Sequence, residues 1–565
     1  MKMIYKIVLA ILIVCFFSVG CNKMLDVNSD RVLPTEGNKL NSANNNLYYM
    51  LGIFSLLPKI AERYVLLGEL RGDLMDVTKY ATIDLQQISN FNISPDNPYI
   101  SSKDYYAVIN NCNYFIQNID TSVVTGGIKT MYKEYAAAKA IRAWTYMQIA
   151  LNYGKAVYYE QPLLNLDDVT KSYPEYGINE LSPILIRDLL PWVDIKKPQY
   201  GSTSDIESFI NIGELNSGRF YLPIRFLLGE LYLWNGQYEN AANEYRDLMY
   251  LNYAVTNYKN NSGIEPYRST RSVVNGEFVD ITHRWFNIFE NSNIEVLSEI
   301  GSTSQYGEGS HLNDLSFGKY MVKPTATSLA NWDNQIYYDV NPIYMTFGDL
   351  RGNEGSYIYF GSHNTNGRSE PGQDNYIFKY YLRDALYKQS ELITTCRSGL
   401  VYLRYAEAVN RIGKPNLAFA VLKNGLNGLN MANTAIVPSN ELPNPKPNYM
   451  NFDDARFADN IGMHARGCGN VADADGYTIQ SLASLQGLSL VSLNDSVLFV
   501  EDLIQKELAL ETAFEGNRFH DLMRLALRRG DPSYLANTVA EKHINNKDEI
   551  RAKLLNIQNW FLPRK

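Results

Sequence analysis

Apolar residues recur at helical spacing over most of the chain, and the clearest stretches come in pairs. Between Phe226 and Tyr245, the positions Leu228, Gly229, Tyr232, Gly236, Tyr238, Ala241 and Tyr245 fit a tetratricopeptide hairpin, two antiparallel helices joined by a tight turn. Gly229 and Ala241 are small enough for the helices to approach closely, and Gly236 permits the turn. Tyr402 to Leu426 repeats the spacing with Ala406, Val409, Gly413, Ala418 and Leu422, and Pro415 stands where the second helix should begin. A long alanine-rich helix is predicted over Met131 to Asn152. It has Ile141, Trp144, Met147 and Leu151 on one face and Gly154 at its end. A further helix runs from Leu498 to about Phe514, breaks at Gly516 and resumes from Asp521 to Leu527.

The helical period fades twice. Over 251–399 Asn, Ser, Gly and Tyr dominate, and short alternating stretches such as Tyr357 to Phe360 read as hairpin strands. A second irregular stretch covers about 430–493 and is rich in Asn, Pro, Gly and Ser. Insertions in a helical repeat usually project from one face, often the binding face. The predicted fold class is therefore mainly α, a tetratricopeptide-like helical hairpin scaffold with large irregular loops and short β-hairpin insertions. The chain divides into a signal at 1–20, a helical part at 21–250, a variable insertion at 251–399, and a C-terminal part at 400–565.

The first residues read as an address. Lys2 and Lys6 form a basic start, Ile7 to Val19 is apolar but too short to span a bilayer, and Ser18-Val19-Gly20 places small residues before Cys21. This arrangement resembles the bacterial lipobox, which makes Cys21 the expected lipidation site. Acyl chains there would hold the body on a membrane without a spanning helix. Of the later cysteines, Cys112, Cys396 and Cys468 show no paired spacing, and Cys112 and Cys396 are expected as small core residues.

Composition narrows the function. The 565 residues are 45% hydrophobic and 20% charged, enough to bury a large core. The net charge is −8, falling to −10 once Lys2 and Lys6 leave with the signal, and no basic block offers a footprint for nucleic acid. Aromatic content is dominated by tyrosine, 42 against 22 Phe and 6 Trp. Part of that excess is scaffold, because Tyr105, Tyr132, Tyr135, Tyr146, Tyr232, Tyr238, Tyr245 and Tyr405 fall at helical positions.

Enzyme signatures are missing from the sequence: there is no Gly-x-Ser-x-Gly, His-Glu-x-x-His, P-loop or dinucleotide glycine pattern. His283, His311 and His363 share no metal-ligand spacing. Asp473-x-Asp475-Gly476 resembles part of a calcium loop, but Val471 and Leu482 would occupy its first and last ligand slots. No metal or cofactor is expected. Arg518, Asp521 and Arg524, at i, i+3 and i+6, are expected to form fold-specifying ion pairs beside Glu511 or Glu515.

Several segments, in order along nearly the whole chain, carry a family resemblance. They are Cys21-Asn-Lys-Met-Leu-Asp26, Glu69-Leu-Arg-Gly-Asp73, Tyr105 to Asn113, Ala138 to Tyr146 with Tyr153-Gly154, Leu403 to Ala408 with Ile412 to Pro415, and Glu507 to Arg524. Together they resemble the SusD/RagB outer-membrane nutrient-binding lipoproteins of Bacteroidetes. One departure is local: Gly154 is followed by Lys155-Ala-Val-Tyr-Tyr, and proline is delayed to Pro162. The resemblance implies a non-catalytic, cell-surface outer-membrane lipoprotein that binds a nutrient glycan and delivers it to a SusC-like TonB-dependent transporter. The RagB-like branch would take peptides instead. A plain tetratricopeptide adaptor is a third reading, at odds with the signal and Cys21.

A sugar ring presents an apolar C–H face and a hydroxyl rim, which suit an aromatic plate flanked by Asn, Asp, Gln or Arg. By position outside the helical repeats, the candidate ligand residues are Tyr99, Trp285, Tyr306, Trp332, Tyr337 and Tyr338. Trp332, next to Asn331, Asp333 and Asn334, is the expected centre.

Overall fold

The computed structural model describes residues 40–198, 217–256, 270–274, 277–281, 285–289, 295–303, 311–340, 343–353, 355–359, 374–381, 390–458, 460–469 and 471–564. The signal, Cys21 and Tyr306 lie outside them.

The body is mainly helical. Its N-terminal part holds α1 (Ala43–Phe54), α2 (Pro58–Glu69), the short strand β1 (Met75–Val77), α3 (Ile83–Ser89), α4 (Lys103–Asn118), α5 (Tyr132–Tyr153) and α6 (Ile178–Leu189). The first expected hairpin forms as α7 (Ile224–Trp234) and α8 (Tyr238–Thr256). Irregular chain follows, with β2 (Val296–Thr303), β3 (Val322–Pro324), α9 (Ala326–Asp333), β4 (Ile336–Val340), β5 (Ile343–Phe347), β6 (Tyr357–Tyr359), β7 (Asn375–Ile377) and β8 (Ser390–Arg397). The second hairpin is α10 (Ser398–Arg411) and α11 (Pro415–Lys423), and the C-terminal part carries α12 (Leu493–Glu511), α13 (Arg518–Arg529), α14 (Pro532–Ala540) and α15 (Lys547–Leu554).

Both hairpins use the residues that marked them in sequence. Gly229 is where the two helices touch, since a Cβ there would lie 2.4 Å from the Tyr245 ring. Gly236 takes φ +73 in the turn, a conformation costly for residues with a Cβ. Pro415 opens α11, where its missing N–H has no helical acceptor to lose. Neighbouring helices pack in sequence, α4 on α5, α5 on α6, α6 on α7, α7 on α8 and α8 on α10, so one hydrophobic core runs through the scaffold. Tyr105, Tyr146, Tyr232, Tyr245 and Tyr405 are buried in it, as are Cys112 and Cys396.

The strands pair in twos and all antiparallel: β1 with β3, β2 with β8, β4 with β5, and β6 with β7. The stretch over 430–493 is built from short helical turns such as Ser439–Glu441, Ala465–Cys468 and Ile479–Leu485.

What joins the irregular parts to the scaffold is buried charge. Glu507 and Glu511 lie one turn apart at the end of α12, Glu515 follows just past the helix end, and three arginines from three different segments converge on them. Arg351 reaches Glu507 at 2.6 Å and Glu511 at 2.9 Å, Arg397 reaches Glu511 at 2.6 Å and Glu515 at 2.7 Å, and Arg466 reaches Glu511 at 2.6 Å. Glu295 adds a third carboxylate to Arg397 at 2.9 Å. Burial alone would raise the Glu511 pKa, but Arg466, Arg397 and Arg351 hold it down at about 2. Breaking one partner of such a buried set costs far more than an exposed pair is worth.

The C-terminal triad also proves structural: Asp521 and Arg524 pair along the helix at 3.1 Å, and the remaining partners come from distant segments rather than from Glu511 or Glu515. Arg518 pairs with Asp73 at 2.6 Å, Arg524 with Glu407 at 2.6 Å, and Asp521 with Arg404 at 2.7 Å. Glu69 accepts the backbone N–H groups of Phe514 and Gly516. The Glu69-Leu-Arg-Gly-Asp73 segment thus fastens the N-terminal helices to the C-terminal motif. Gly68 and Gly516 meet there so closely that a Cβ on Gly68 would lie 1.9 Å from the Gly516 carbonyl oxygen.

Candidate functional site

The structure removes two of the six expected ligand residues from solvent. Trp332, on α9, is only 1% exposed, donates its indole N–H to the Leu510 carbonyl at 3.1 Å, and lies 5.6 Å from the Tyr357 ring. Its polar neighbours misled the sequence reading, because α9 packs against α12 and turns the ring inward. Trp285 is likewise 1% exposed, with the guanidinium groups of Arg466 and Arg397 within 5.2 and 5.3 Å of its ring centre. It packs against the buried charge network rather than facing a ligand. Tyr337 and Tyr338, on β4, are half-buried. The backbone of Tyr338 bridges to Gly469, where a Cβ would come within 3.0 Å of the Tyr337 ring.

A different set of rings is partly open, around a buried Tyr320. Phe317, Tyr320, Tyr376 and Tyr381 form a continuous aromatic cluster: Tyr320 to Tyr376 is 4.3 Å between ring centres, Phe317 to Tyr376 is 5.5 Å, and Phe317 to Tyr381 is 4.4 Å. Phe378 stacks on Tyr381 at 5.1 Å. Tyr80 is 56% exposed, with the Lys79 ammonium 5.0 Å from its ring centre. Tyr320 is the buried base of the cluster, while Phe317, Tyr376 and Tyr381 are half-buried.

Short elements with little regular pairing position these rings. The ladder of β1 with β3 brings the 78–80 loop beside Tyr320, and β7 packs next to β3. A π-helical turn at Asp314–Gly318 presents Phe317. Tyr320 adopts φ +48, which is unusual for a residue with a bulky side chain. Thr78 holds it there, donating its hydroxyl to the Tyr320 carbonyl and its N–H to the Met321 carbonyl.

The rim is polar. Exposed Asp374 accepts from the Tyr320 phenol, and Lys319 and Asp314 pair at 3.3 Å nearby on the same segment. Burial, then Asp374 and Tyr80, raise the pKa of the Tyr376 phenol, which keeps it a neutral donor and acceptor at physiological pH.

Tyr99, half-buried against the core, lies near the segment that leads into this surface. Its phenol is raised to about 12, first by burial and then by Glu62 and Asp84. Glu62 in turn accepts the His311 N–H at 2.6 Å, and His311 opens the segment that carries Phe317 and Tyr320. Asn97, two residues before Tyr99, donates to the Asp84 carbonyl on α3.

Sequence reasoning missed Tyr80, Phe317, Tyr320, Tyr376 and Tyr381. The signal used for Trp332, an aromatic beside Asp and Asn, also stands at Asp374-Asn375-Tyr376. Among the described residues no group of three or more His, Cys, Asp or Glu is placed to hold a metal ion.

The helical scaffold with its paired-strand insertions aligns over most of its length with solved structures. A SusD superfamily protein from Bacteroides thetaiotaomicron superposes with a TM-score of 0.55 at 15% identity, covering 92% of this chain and 98% of that one. The fold is SusD-like. Surface glycan-binding protein A from Bacteroides uniformis gives a TM-score of 0.53 at 14% identity over 93% of this chain and 96% of its own. A laminarin binding SusD-like protein gives 0.52 at 15% identity over the same shares, 93% and 96%. No protein-family model and no curated protein sequence matches the chain. The SusD-like likeness is thus carried by the course of the backbone, at identities that leave the binding residues free to differ.

Proposed function

We propose that this SusD-like chain is a non-catalytic surface lipoprotein that binds a glycan on the Tyr80–Tyr376 surface. The observation that carries the reading is the open aromatic cluster, with Tyr80 exposed and Tyr376 and Phe317 half-open above a buried Tyr320. Aromatic faces of this kind accept the C–H face of a sugar, and Asp374, Lys79 and the tyrosine hydroxyls supply hydrogen bonds to its hydroxyl rim. Two proteins of the same fold are described as glycan-binding and laminarin binding, which supports a saccharide as the ligand class. Tyr99 would extend the contact along the approach.

The cellular part of the proposal rests on the sequence. Cys21 would carry the lipid that holds the protein at the outer membrane, and a SusC-like TonB-dependent transporter would receive the glycan. A glycan array probed with the purified chain tests the ligand class. Binding to a saccharide that is weakened in Tyr376→Ala supports the reading, whereas binding only to peptides moves it to the RagB-like alternative. Release of reducing ends from a bound glycan would overturn the non-catalytic reading. Membrane fractionation of Cys21→Ala tests the anchor, and co-purification with a barrel protein tests the partner.

A further inference from the structure

The two ends of the α4–α5–α6 layer differ. At one end lie the start of α4 and the end of α5, next to the loop with Tyr99, since the Tyr153 phenol donates to the Ile100 carbonyl. At the other end lie the end of α4, the start of α5 and the end of α6. The described chain enters there: the Leu40 N–H bonds to the Asn118 carbonyl, and Asn46 donates to the Met131 sulfur just before α5. With 16 residues in α4, the two ends are about 24 Å apart.

The entry end is apolar and aromatic where it meets solvent. A two-stranded hairpin projects from it, with Val124 paired to Lys129 and Thr125 to Ile128 around Gly126 and Gly127. Successive pairs of a ladder face opposite sides, so Val124 and Ile128 make both sides of the tip apolar, and each is more than half exposed. Tyr48 on α1 is 70% exposed. Trp192, half-buried, lies between Tyr132 and Tyr135 at 5.3 and 4.7 Å, and Leu190 beside it is exposed. The basic groups are Lys129, whose ammonium donates to the Tyr132 phenol at 2.6 Å, and exposed Lys133. Nearby acids are engaged, Asp188 by Arg142 at 2.6 Å and Asp194 by Arg225 at 2.6 Å.

We propose that this end of the body rests on a lipid bilayer surface, with the Val124/Ile128 tip and Trp192 entering the headgroup region. Tyr and Trp with an apolar ring and a polar tip, and lysines with long apolar stems, are the side chains that suit that interface. The chain enters the body at this end, so an anchored Cys21 would tether this end first, which favours lipid as the occupant. Eighteen residues separate Cys21 from Leu40, so an anchored chain keeps this end within about 65 Å of the bilayer even when fully extended. No helix among the described residues is long and apolar enough to cross a membrane. The inference rests on the lipoprotein part of the proposed function, and its test separates the two.

The test uses the full mature chain with Cys21→Ala, which has no acyl group, and vesicles of phosphatidylethanolamine and phosphatidylglycerol at three to one. Trp192 is the one tryptophan that is not buried, since Trp144, Trp234, Trp285, Trp332 and Trp560 are all in the core. Lipids brominated near the headgroup should therefore quench Trp192 selectively. Val124→Ser with Ile128→Ser should lower vesicle co-sedimentation about tenfold while leaving the melting temperature and glycan binding unchanged. Absence of quenching, or unchanged co-sedimentation of the double variant, would overturn the proposal. So would a dimer in sedimentation velocity that the double variant abolishes, which would mark the patch as a contact between copies. Failure of the unsubstituted chain to fractionate with membranes would sink the Cys21 anchor alone, because the vesicle assay does not depend on it.

Discussion

Trp332 and Tyr376 look alike in sequence: each is an aromatic beside Asp and Asn residues in a stretch without strong helical period. The fold treats them oppositely. Trp332 lies on α9, which packs on α12, and its indole is locked to the Leu510 carbonyl in the core. Tyr376 lies on the β6–β7 hairpin beside β3, where its ring stays half-open on a base formed by Tyr320. The lesson is that polar neighbours do not make an aromatic residue a ligand plate. What decides is how far the neighbouring elements cover the ring: α12 covers Trp332, whereas β3 and the 314–318 turn leave Tyr376 half-open.

That contrast can be broken experimentally. The largest effect is expected on the closed side. Glu511→Ala leaves Arg351, Arg397 and Arg466 without their shared carboxylate and should destabilise the fold by about 3–5 kcal/mol in denaturant melts. Trp332→Ala should cost a similar amount, about 3–5 kcal/mol, and reduce glycan binding only in proportion to the protein that unfolds. A Trp332→Ala variant that melts normally yet binds nothing would reverse the assignment of the two regions.

Acid should reveal the same buried charges. Burial opposes ionisation of Glu511 and Glu407, but arginines hold both at about 2: Arg466 and Arg397 act on the first, Arg524 on the second. A carboxylate whose folded pKa is depressed lends stability above its unfolded pKa and loses it as pH falls toward the folded value. Burial and Lys542 lower the His543 pKa to about 4, so the unfolded chain takes up that proton first and stability also falls from about pH 6.5 to 4. Burial raises the Glu69 pKa to about 7, so that group lends stability as pH falls from 7 toward 4.5 and offsets His543; the net decline in melting temperature should come between about pH 4.5 and 2. A flat profile to pH 3 would argue against a charged network.

On the open side the effects should be smaller and confined to binding. Tyr376→Ala should weaken glycan affinity about tenfold, equivalent to about 1.4 kcal/mol, with an unchanged melt by calorimetry. Tyr80→Ala should act in the same direction, since its ring is the most exposed of the set. Tyr99→Ala, on the approach, should cost about threefold in titration, or about 0.6 kcal/mol. Equal losses at Tyr99 and Tyr376 would move the centre of the site toward α3.

The helical scaffold was legible in advance because its signals are local. Gly229, Gly236, Ala241 and Tyr245 state a close approach and a turn within twenty residues, and the structure places α7 and α8 accordingly. The same holds for Pro415 opening α11 and for Gly154 ending α5 with φ +81. That Arg518, Asp521 and Arg524 serve the fold was also readable. Their partners were not, because Asp73, Glu407 and Arg404 lie more than one hundred residues away and nothing local names them.

The sequence by itself determined the helical class, the paired hairpins, the expected address at Cys21 and the lack of enzyme signatures, since each is written in short-range spacing or composition. Only the tertiary structure decided which aromatics are open. Tyr80, Phe317, Tyr320 and Tyr376 come from three segments spread over nearly three hundred residues and meet through the β1–β3 ladder and the β7 strand beside it. Exposure is a property of what packs on a residue. For Trp332 that was α12, which closes over the ring, and for Tyr376 it was Tyr320 and Phe317, which leave it half-open.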